Sequence, residues 1–364
     1  MERARFRAAS AVFCLWLLST FAPLGWSQQT SPGEASQAGA HRTPETEPGS
    51  GTVKEDRSSL SLTGRNLPVS PPLLGEKDDY PGFTRELLQV QWRSGDPIDL
   101  YVILPKGVKR PPVILYLYSY PSDTENFVDP EFCKLVTKDG FAAIGFVSAL
   151  TGQRYHDRPM REWFISELQE SLTSSVHDVQ MILNYLATRG DLDMDHVGMF
   201  GDGSGATIAI LAATVEPRLK VLDLLDPWGD WPDWLAKSDL IPKEERADYL
   251  KPEFLKRVEP LDPVMWLPQL RSQKVRLQDA LYEKVTPNLA KKRIERAMPT
   301  TAQVVRYKNS RALDELASGG RFFDWVKEQV RLSFAAAPTV LRPRAPLVRV
   351  RFPEGLGFSG PSSP

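Results

Sequence analysis

The sequence predicts an α/β protein: a mostly parallel sheet with helices on both faces. Three observations predict it. Residues 113–118, 141–147 and 197–200 are short, continuous apolar runs, the pattern of strands buried on both faces. Stretches of helical period separate such runs, as in Val176, Val179, Ile182, Leu183 and Leu186. Ahead of them, residues 87–92 and 98–104 read as two strands joined by the turn at Ser94-Gly95-Asp96. An antiparallel start followed by alternating strands and helices gives a layered, right-handed α/β arrangement.

Arg3, Arg5 and Arg7 precede an apolar run over residues 8–23, and Gly25 and Ser27 are small residues of the kind signal peptidase inspects. Residues 1–27 therefore read as a secretory signal cleaved after Ser27. The run is short of the ~20 residues a membrane span needs. The expectation is an exported protein, periplasmic or secreted, with no membrane span once the signal is removed. Cys133 is then the only cysteine, so no internal disulfide is expected. Residues 28–79 hold no aromatic residue and are rich in Pro, Gly, Ser, Thr and Glu; they read as a disordered linker.

The domain is expected over residues 80–335. After the first three strands a helix over 131–138 ends at Gly140, and the strand at 141–147 follows. Gly190 closes the next helix. The strand at 197–200 leads into a small-residue helix over 206–215, then a strand at 221–225. Residues 228–270 lie between that strand and the next. Strands at 274–277 and 303–307 follow, and Phe322, Val326 and Val330 mark a last amphipathic helix. The tail, 336–364, is rich in Pro and Arg, with one weakly alternating stretch at 347–352 that has the pattern of an edge strand.

Composition narrows the function. With 41% hydrophobic and 25% charged residues the chain is ordinary globular protein, and its net charge of -1 gives no reason to expect a nucleic-acid partner. No cysteine or histidine cluster suggests a metal. No cofactor is expected: the glycines around residue 203 lack the Lys-Ser/Thr pair of a nucleotide loop and the second half of a dinucleotide fingerprint.

The most informative stretch is Gly201-Asp202-Gly203-Ser204-Gly205, set between an apolar strand and a helix of small residues. The pattern Gly-x-nucleophile-x-Gly marks the tight strand-to-helix turn that presents a catalytic nucleophile. Gly201 and Gly205 fill the glycine positions, and Gly203 stands between them. With this turn, the element order and the following Leu225-Asp226-Pro227, the chain resembles the α/β-hydrolase superfamily over roughly residues 80–334. The resemblance is to its exported esterase, dienelactone-hydrolase-like and prolyl-peptidase-like branches. It implies a nucleophile, an acid and a histidine in that order, and a helical cap insertion at about residues 228–270.

Read residue by residue, the resemblance implies three degenerate positions. Gly203 occupies the nucleophile position and has no side chain to attack with. Glu283 best matches the acid, in the loop after the strand at 274–277. Arg311 best matches the histidine; its guanidinium stays protonated and cannot act as a general base. The chain holds four histidines, His41, His156, His177 and His196, and none follows the turn. His196 opens the strand at 197–200, well before the turn, and His177 lies beside the apolar stripe of its helix. An alternative uses Ser204 as nucleophile in a shifted turn, with His156 and Asp226 as partners. It would put Asp202 at a crowded glycine position.

Two further groups concern a pocket. Tyr118 and Tyr120 end a strand where the family builds part of its oxyanion hole. Trp228, Trp231 and Trp234 open the cap; they either line an apolar cleft or seal the cap to the sheet. Two functions stay open. One is a catalytically impaired or inactive serine-hydrolase homologue that binds an apolar or peptide-like small ligand. The other is an active esterase or peptidase with the unusual triad on Ser204. The sequence assigns no protein partner.

Overall fold

The structure, a computed structural model, describes residues 55–62, 71–93, 96–120, 124–150, 167–270 and 273–335. The expected signal, the tail, His41, His156 and most of the expected linker lie outside these residues. Nine strands form one sheet: β1 (Leu73–Asp79), β2 (Phe83–Val90), β3 (Ile98–Pro105), β4 (Pro112–Leu117), β5 (Ala142–Phe146), β6 (Asp193–Asp202), β7 (Leu219–Leu225), β8 (Lys274–Ala280) and β9 (Gln303–Tyr307). Their spatial order is β1-β2-β3-β5-β4-β6-β7-β8-β9. The β1–β2, β2–β3 and β3–β5 pairs are antiparallel, and every other pair is parallel. This is the antiparallel start and parallel body expected from the sequence. The apolar runs become the central strands; β5 is buried along its whole length, and β4 everywhere but at Pro112.

Ten helices accompany the sheet among the described residues: α1 (Pro130–Thr137), α2 (Leu168–Thr188), α3 (Ser204–Val215), α4 (Trp231–Lys237), α5 (Arg246–Tyr249), α6 (Pro252–Val258), α7 (Pro263–Trp266), α8 (Asn288–Ala297), α9 (Ser310–Ser318) and α10 (Asp324–Ala335). The small side chains of α3 let it lie directly on β6 and β7, with α2 packed outside it. Leu172, Val176 and Val179 of α2 join Ile208 and Leu211 of α3 in one core. On the other face α10 covers β6 and β7. There Val326 and Val330 meet Phe200, Phe323 and the ring of Tyr116. Helices α4 to α7 are the cap, inserted between β7 and β8 as expected.

Two corrections to the sequence reading fall at the amino-terminal side. Residues 73–79, placed in the linker, form β1, an almost entirely exposed edge strand. Residues 55–62 are not free of the domain either: Leu60 and Leu62 are buried. An aromatic-free, polar composition hides both, because a strand that pairs with one neighbour and a strap that docks two leucines need little apolar surface of their own.

A buried polar network joins the last three strands. Arg276 on β8 reaches both carboxylate oxygens of Asp223 on β7, at 2.8 and 2.6 Å. Gln278 donates to the same carboxylate at 2.8 Å and accepts the Tyr307 hydroxyl of β9 at 2.7 Å. Burial pushes the Asp223 carboxyl up, while Arg276 and Gln278 pull the other way.

Candidate active site

The turn between β6 and α3 lies at the carboxyl ends of the parallel strands, where sites in open α/β sheets are built. Its shape is dictated by missing side chains. A Cβ on Gly205 would lie 2.0 Å from the Leu117 carbonyl oxygen, and one on Gly201 would lie 2.6 Å from the backbone of Ala206. Only glycine lets β4, β6 and α3 approach so closely. Gly203 is at the tip, with φ 53° and ψ -113°. That combination is outside the left-handed well other residues visit. The turn is thus the unshifted one: Gly203 occupies the apex, and Ser204 is the first residue of the helix.

The position a Cβ on Gly203 would take is crowded. A Cβ there would lie 2.4 Å from Ser119 Oγ, 2.9 Å from Ser119 Cβ and 3.1 Å from Trp228 Nε1. Ser204 is fully buried. Its Oγ accepts the backbone N–H of Tyr120 at 2.9 Å, and its own backbone N–H points at Ser119 Oγ at 3.5 Å. In a turn of this type the oxyanion hole is made by the N–H after the nucleophile and an N–H from the loop following the strand that β4 represents. Here those positions are Ser204 and the 118–120 segment. Each N–H is directed at a serine hydroxyl of the protein itself.

The other candidate residues divide sharply. Asp226, at the end of β7, adopts φ 43°. Its Oδ1 accepts the Ala280 N–H at 3.0 Å and pairs with Lys291 Nζ at 2.9 Å. Burial pushes its carboxyl up to about 6 despite Lys291. Lys291, on α8, is itself buried and also donates to the Ala280 carbonyl. Asp226 is therefore held by a lysine, and no contact joins it to Ser204. Glu283 follows β8 and is half-buried. Its charge, with that of Asp226, adds to the burial that pushes Asp202 up to about 7. Asp279 is likewise raised to about 7 by burial and then by Asp226. Arg311 lies on α9 with its side chain 85% exposed, paired with Glu315 at 2.9 Å in solvent. His196 bonds Asp193 at 2.8 Å near the start of β6. His177 lies in the middle of α2, fully buried.

Of the two readings of the tryptophans, their burial favours the seal. Trp228, Trp231 and Trp234 are all buried to within 1% of complete. The Trp228 and Trp234 rings lie 4.9 Å apart, and Trp231 meets Trp234 edge-on at 5.7 Å. They seal the cap to α3 and the sheet and line no open cleft. Asp262 locks this seal, accepting the N–H groups of Asp230, Trp231 and Val264 at 3.0, 3.1 and 3.0 Å. Tyr118 and Tyr120 are half-buried. Tyr118 packs against Phe127, Phe132 and Phe200.

The sequence reading missed two residues of this site. Ser119 stands between the tyrosines that drew attention, and its role depends on β4 lying beside the turn. Lys291 left a legible signal: it is a cation one position from Ala290 and three from Ile294, on the buried face of α8. Among the described residues no group of three or more His, Cys, Asp or Glu is placed to hold a metal ion, and no helix is long and apolar enough to cross a membrane.

No family model and no curated protein sequence matches this chain. Solved structures do match in shape. Acetyl xylan esterase 1 from Thermoanaerobacterium sp. JW/SL YS485 is similar at a TM-score of 0.57 and 15% identity, covering 71% of this chain and 89% of the esterase. A 2,6-dihydroxy-pseudo-oxynicotine hydrolase is similar at 0.51 and 18%, covering 70% of each chain. The acylaminoacyl peptidase of Pyrococcus horikoshii is similar at 0.50 and 12%, covering 72% of this chain and 49% of the peptidase. At these identities the likeness is one of fold: the chain has the α/β-hydrolase fold, with a mostly parallel sheet, flanking helices and a helical cap.

Proposed function

We propose that this protein is a catalytically inactive α/β-hydrolase-fold homologue that acts by binding, and that it is exported. One observation carries the first part. The apex of the turn is a glycine, and the volume and N–H donors that a nucleophile and its oxyanion would use are taken by Ser119, Ser204 and Trp228. A serine hydrolase needs an attacking oxygen with an imidazole within reach and free donors aimed at the developing charge. Arg311 stands in solvent where the resemblance expects an imidazole, and the two histidines among the described residues are bonded elsewhere, His177 to Glu55 and His196 to Asp193. The ligand class that suits the half-buried Tyr118, Tyr120 and Tyr282 at the strand ends is apolar or peptide-like, since phenol rings offer an apolar face and one hydroxyl. Fold alone licenses no activity.

The alternative triad loses support at each end. Ser204 is enclosed and hydrogen-bonded, and Asp226 is neutralised by Lys291. The test is a fluorophosphonate probe with activated short-chain esters. No labelling and background hydrolysis, unchanged by Ser204→Ala, are expected. Stoichiometric labelling of Ser204 would defeat the proposal. Export rests on the basic start, the apolar run and the small residues before Gln28. A mature amino terminus near Gln28, read by mass spectrometry of the native protein, is the expected result.

A further inference from the structure

The middle of α2 carries a fully buried histidine with two oxygen neighbours. His177 Nδ1 lies 2.6 Å from Glu55 Oε1, and Nε2 lies 2.7 Å from the Ser59 carbonyl oxygen. Both oxygens belong to the 55–62 segment. A carbonyl only accepts. Glu55 only accepts as well: its two carboxylate oxygens take the Nε and Nη2 of Arg93 at 2.6 and 3.0 Å, the pairing of an ionised carboxylate. A neutral imidazole offers one N–H and one lone pair, so it leaves one nitrogen facing an oxygen lone pair inside the protein. The imidazolium satisfies both.

We propose that residues 55–62 form a proton-dependent clasp, docked while His177 carries hydrogen on both ring nitrogens and loosened when it loses one.

The rest of the clasp is built to register that change. Gln180, three residues along α2 from His177, grips the segment's backbone at two points. Its Oε1 accepts the Leu62 N–H at 3.0 Å, and its Nε2 donates to the Leu60 carbonyl at 2.8 Å. The two leucines between these bonds are buried. This is a small anchorage, a pair of leucines and a handful of hydrogen bonds, so one repulsive contact at its head is a large fraction of it. The surrounding charge favours a cation. From the clasp itself come Glu55 and Asp56, from the β2–β3 turn Asp96, and from α2 Asp178 and Glu170. Against these stand Arg93, which bonds Glu55 at 2.6 and 3.0 Å and Asp96 and Asp178 at 2.9 Å each, and Arg57, which pairs with Glu170. The ring charge of His177 is the third cation among five acids. The clasp is independent of whether the turn at Gly203 is catalytic.

Hydrogen exchange on the full-length protein tests the clasp at pH 5.5 and pH 8, with rates corrected for intrinsic pH dependence. Protection over residues 55–62, the Leu62 amide above all, is read relative to amides of β4 and β6. The ratio removes any change in global stability. Clasp protection is expected to fall at least tenfold against the core as pH rises. A flat ratio in the wild-type protein overturns the proposal. Glu55→Gln supplies the control. Its amide can donate to a bare Nδ1 while Nε2–H still serves Ser59, so its ratio should be flat. A wild-type-like pH response in Glu55→Gln would remove the His177–Glu55 contact as the cause.

Discussion

The hydroxyl of Ser204 accepts the backbone N–H of Tyr120 at 2.9 Å, and Ser119 places its own hydroxyl 3.5 Å from the N–H of Ser204. The two serines close over the apex of the turn from either side. Each hydroxyl thereby faces a backbone N–H from the other serine's segment.

The first prediction follows from that closure. Gly203→Ser should cost about 2–5 kcal/mol, because serine must take a φ of 53° that glycine adopts freely and its Cβ enters space held by Ser119. Chemical denaturation checks it. A Gly203→Ser protein as stable as the parent would mean the apex is not where the structure puts it.

The cost should be shared with one neighbour. Ser119→Gly removes both atoms a Cβ at Gly203 would meet first. The double variant Gly203→Ser with Ser119→Gly should therefore regain part of the loss, a coupling of about 1–2 kcal/mol in a double-mutant cycle. Purely additive effects would show that backbone strain alone sets the penalty.

Restoring an imidazole should not restore catalysis. Arg311 sits in solvent with Glu315, and a Cβ at residue 203 would crowd Ser119 and Trp228. Gly203→Ser with Arg311→His should hydrolyse activated esters no faster than either single variant. A gain beyond the sum of the singles would show that the turn and α9 still cooperate as a unit.

The acids at the strand ends should make stability fall as pH rises from about 4 to 7. Asp202 and Asp279 are pushed up to about 7 and Asp226 to about 6, all chiefly by burial. Their native values exceed the unfolded ones, so between about pH 4 and pH 7 the native state holds more protons than the unfolded chain. Their contribution is whole below pH 4 and lost as pH climbs through 6 and 7. Glu55, held at about 2, acts the opposite way but only below pH 4.5. The melting temperature should drop by about 5 °C or more from pH 5 to pH 8, and Asp202→Asn should flatten the drop. A melting temperature that rises over this range would contradict the assignment.

The Asp223–Arg276 pair yields a stability test away from the turn. Arg276→Ala strands a fully buried carboxylate and should cost about 3–5 kcal/mol. Replacing both partners, with Asp223→Leu and Arg276→Met, should cost clearly less, because no charge is then left alone. Equal losses in urea denaturation would mean the network's packing matters more than its charge.

The sequence by itself determined the layered fold. Continuous apolar runs such as that at 113–118 have one stable use, as strands covered on both faces, and their spacing fixes where the helices go. The three glycines at 201, 203 and 205 announced a tight turn there, but the choice between Gly203 and a shifted turn on Ser204 came only with the backbone angles of Gly203. The tertiary structure alone decided what fills that turn. Ser119 is eighty-odd residues from Ser204, and only the pairing of β4 with β6 brings their hydroxyls to the same two N–H groups. Lys291 claims Asp226 because α8 returns across the end of β8. The tryptophans of the cap suited a cleft or a seal equally well by composition, and packing made them a seal. His177 looked unremarkable on its helix; its meaning comes from Glu55 and Ser59, more than a hundred residues earlier in the chain. Periodicity and turn chemistry act over neighbouring residues and are written in order. Charge pairing, plugging and docking act across space, between residues whose separation in the chain carries no signal.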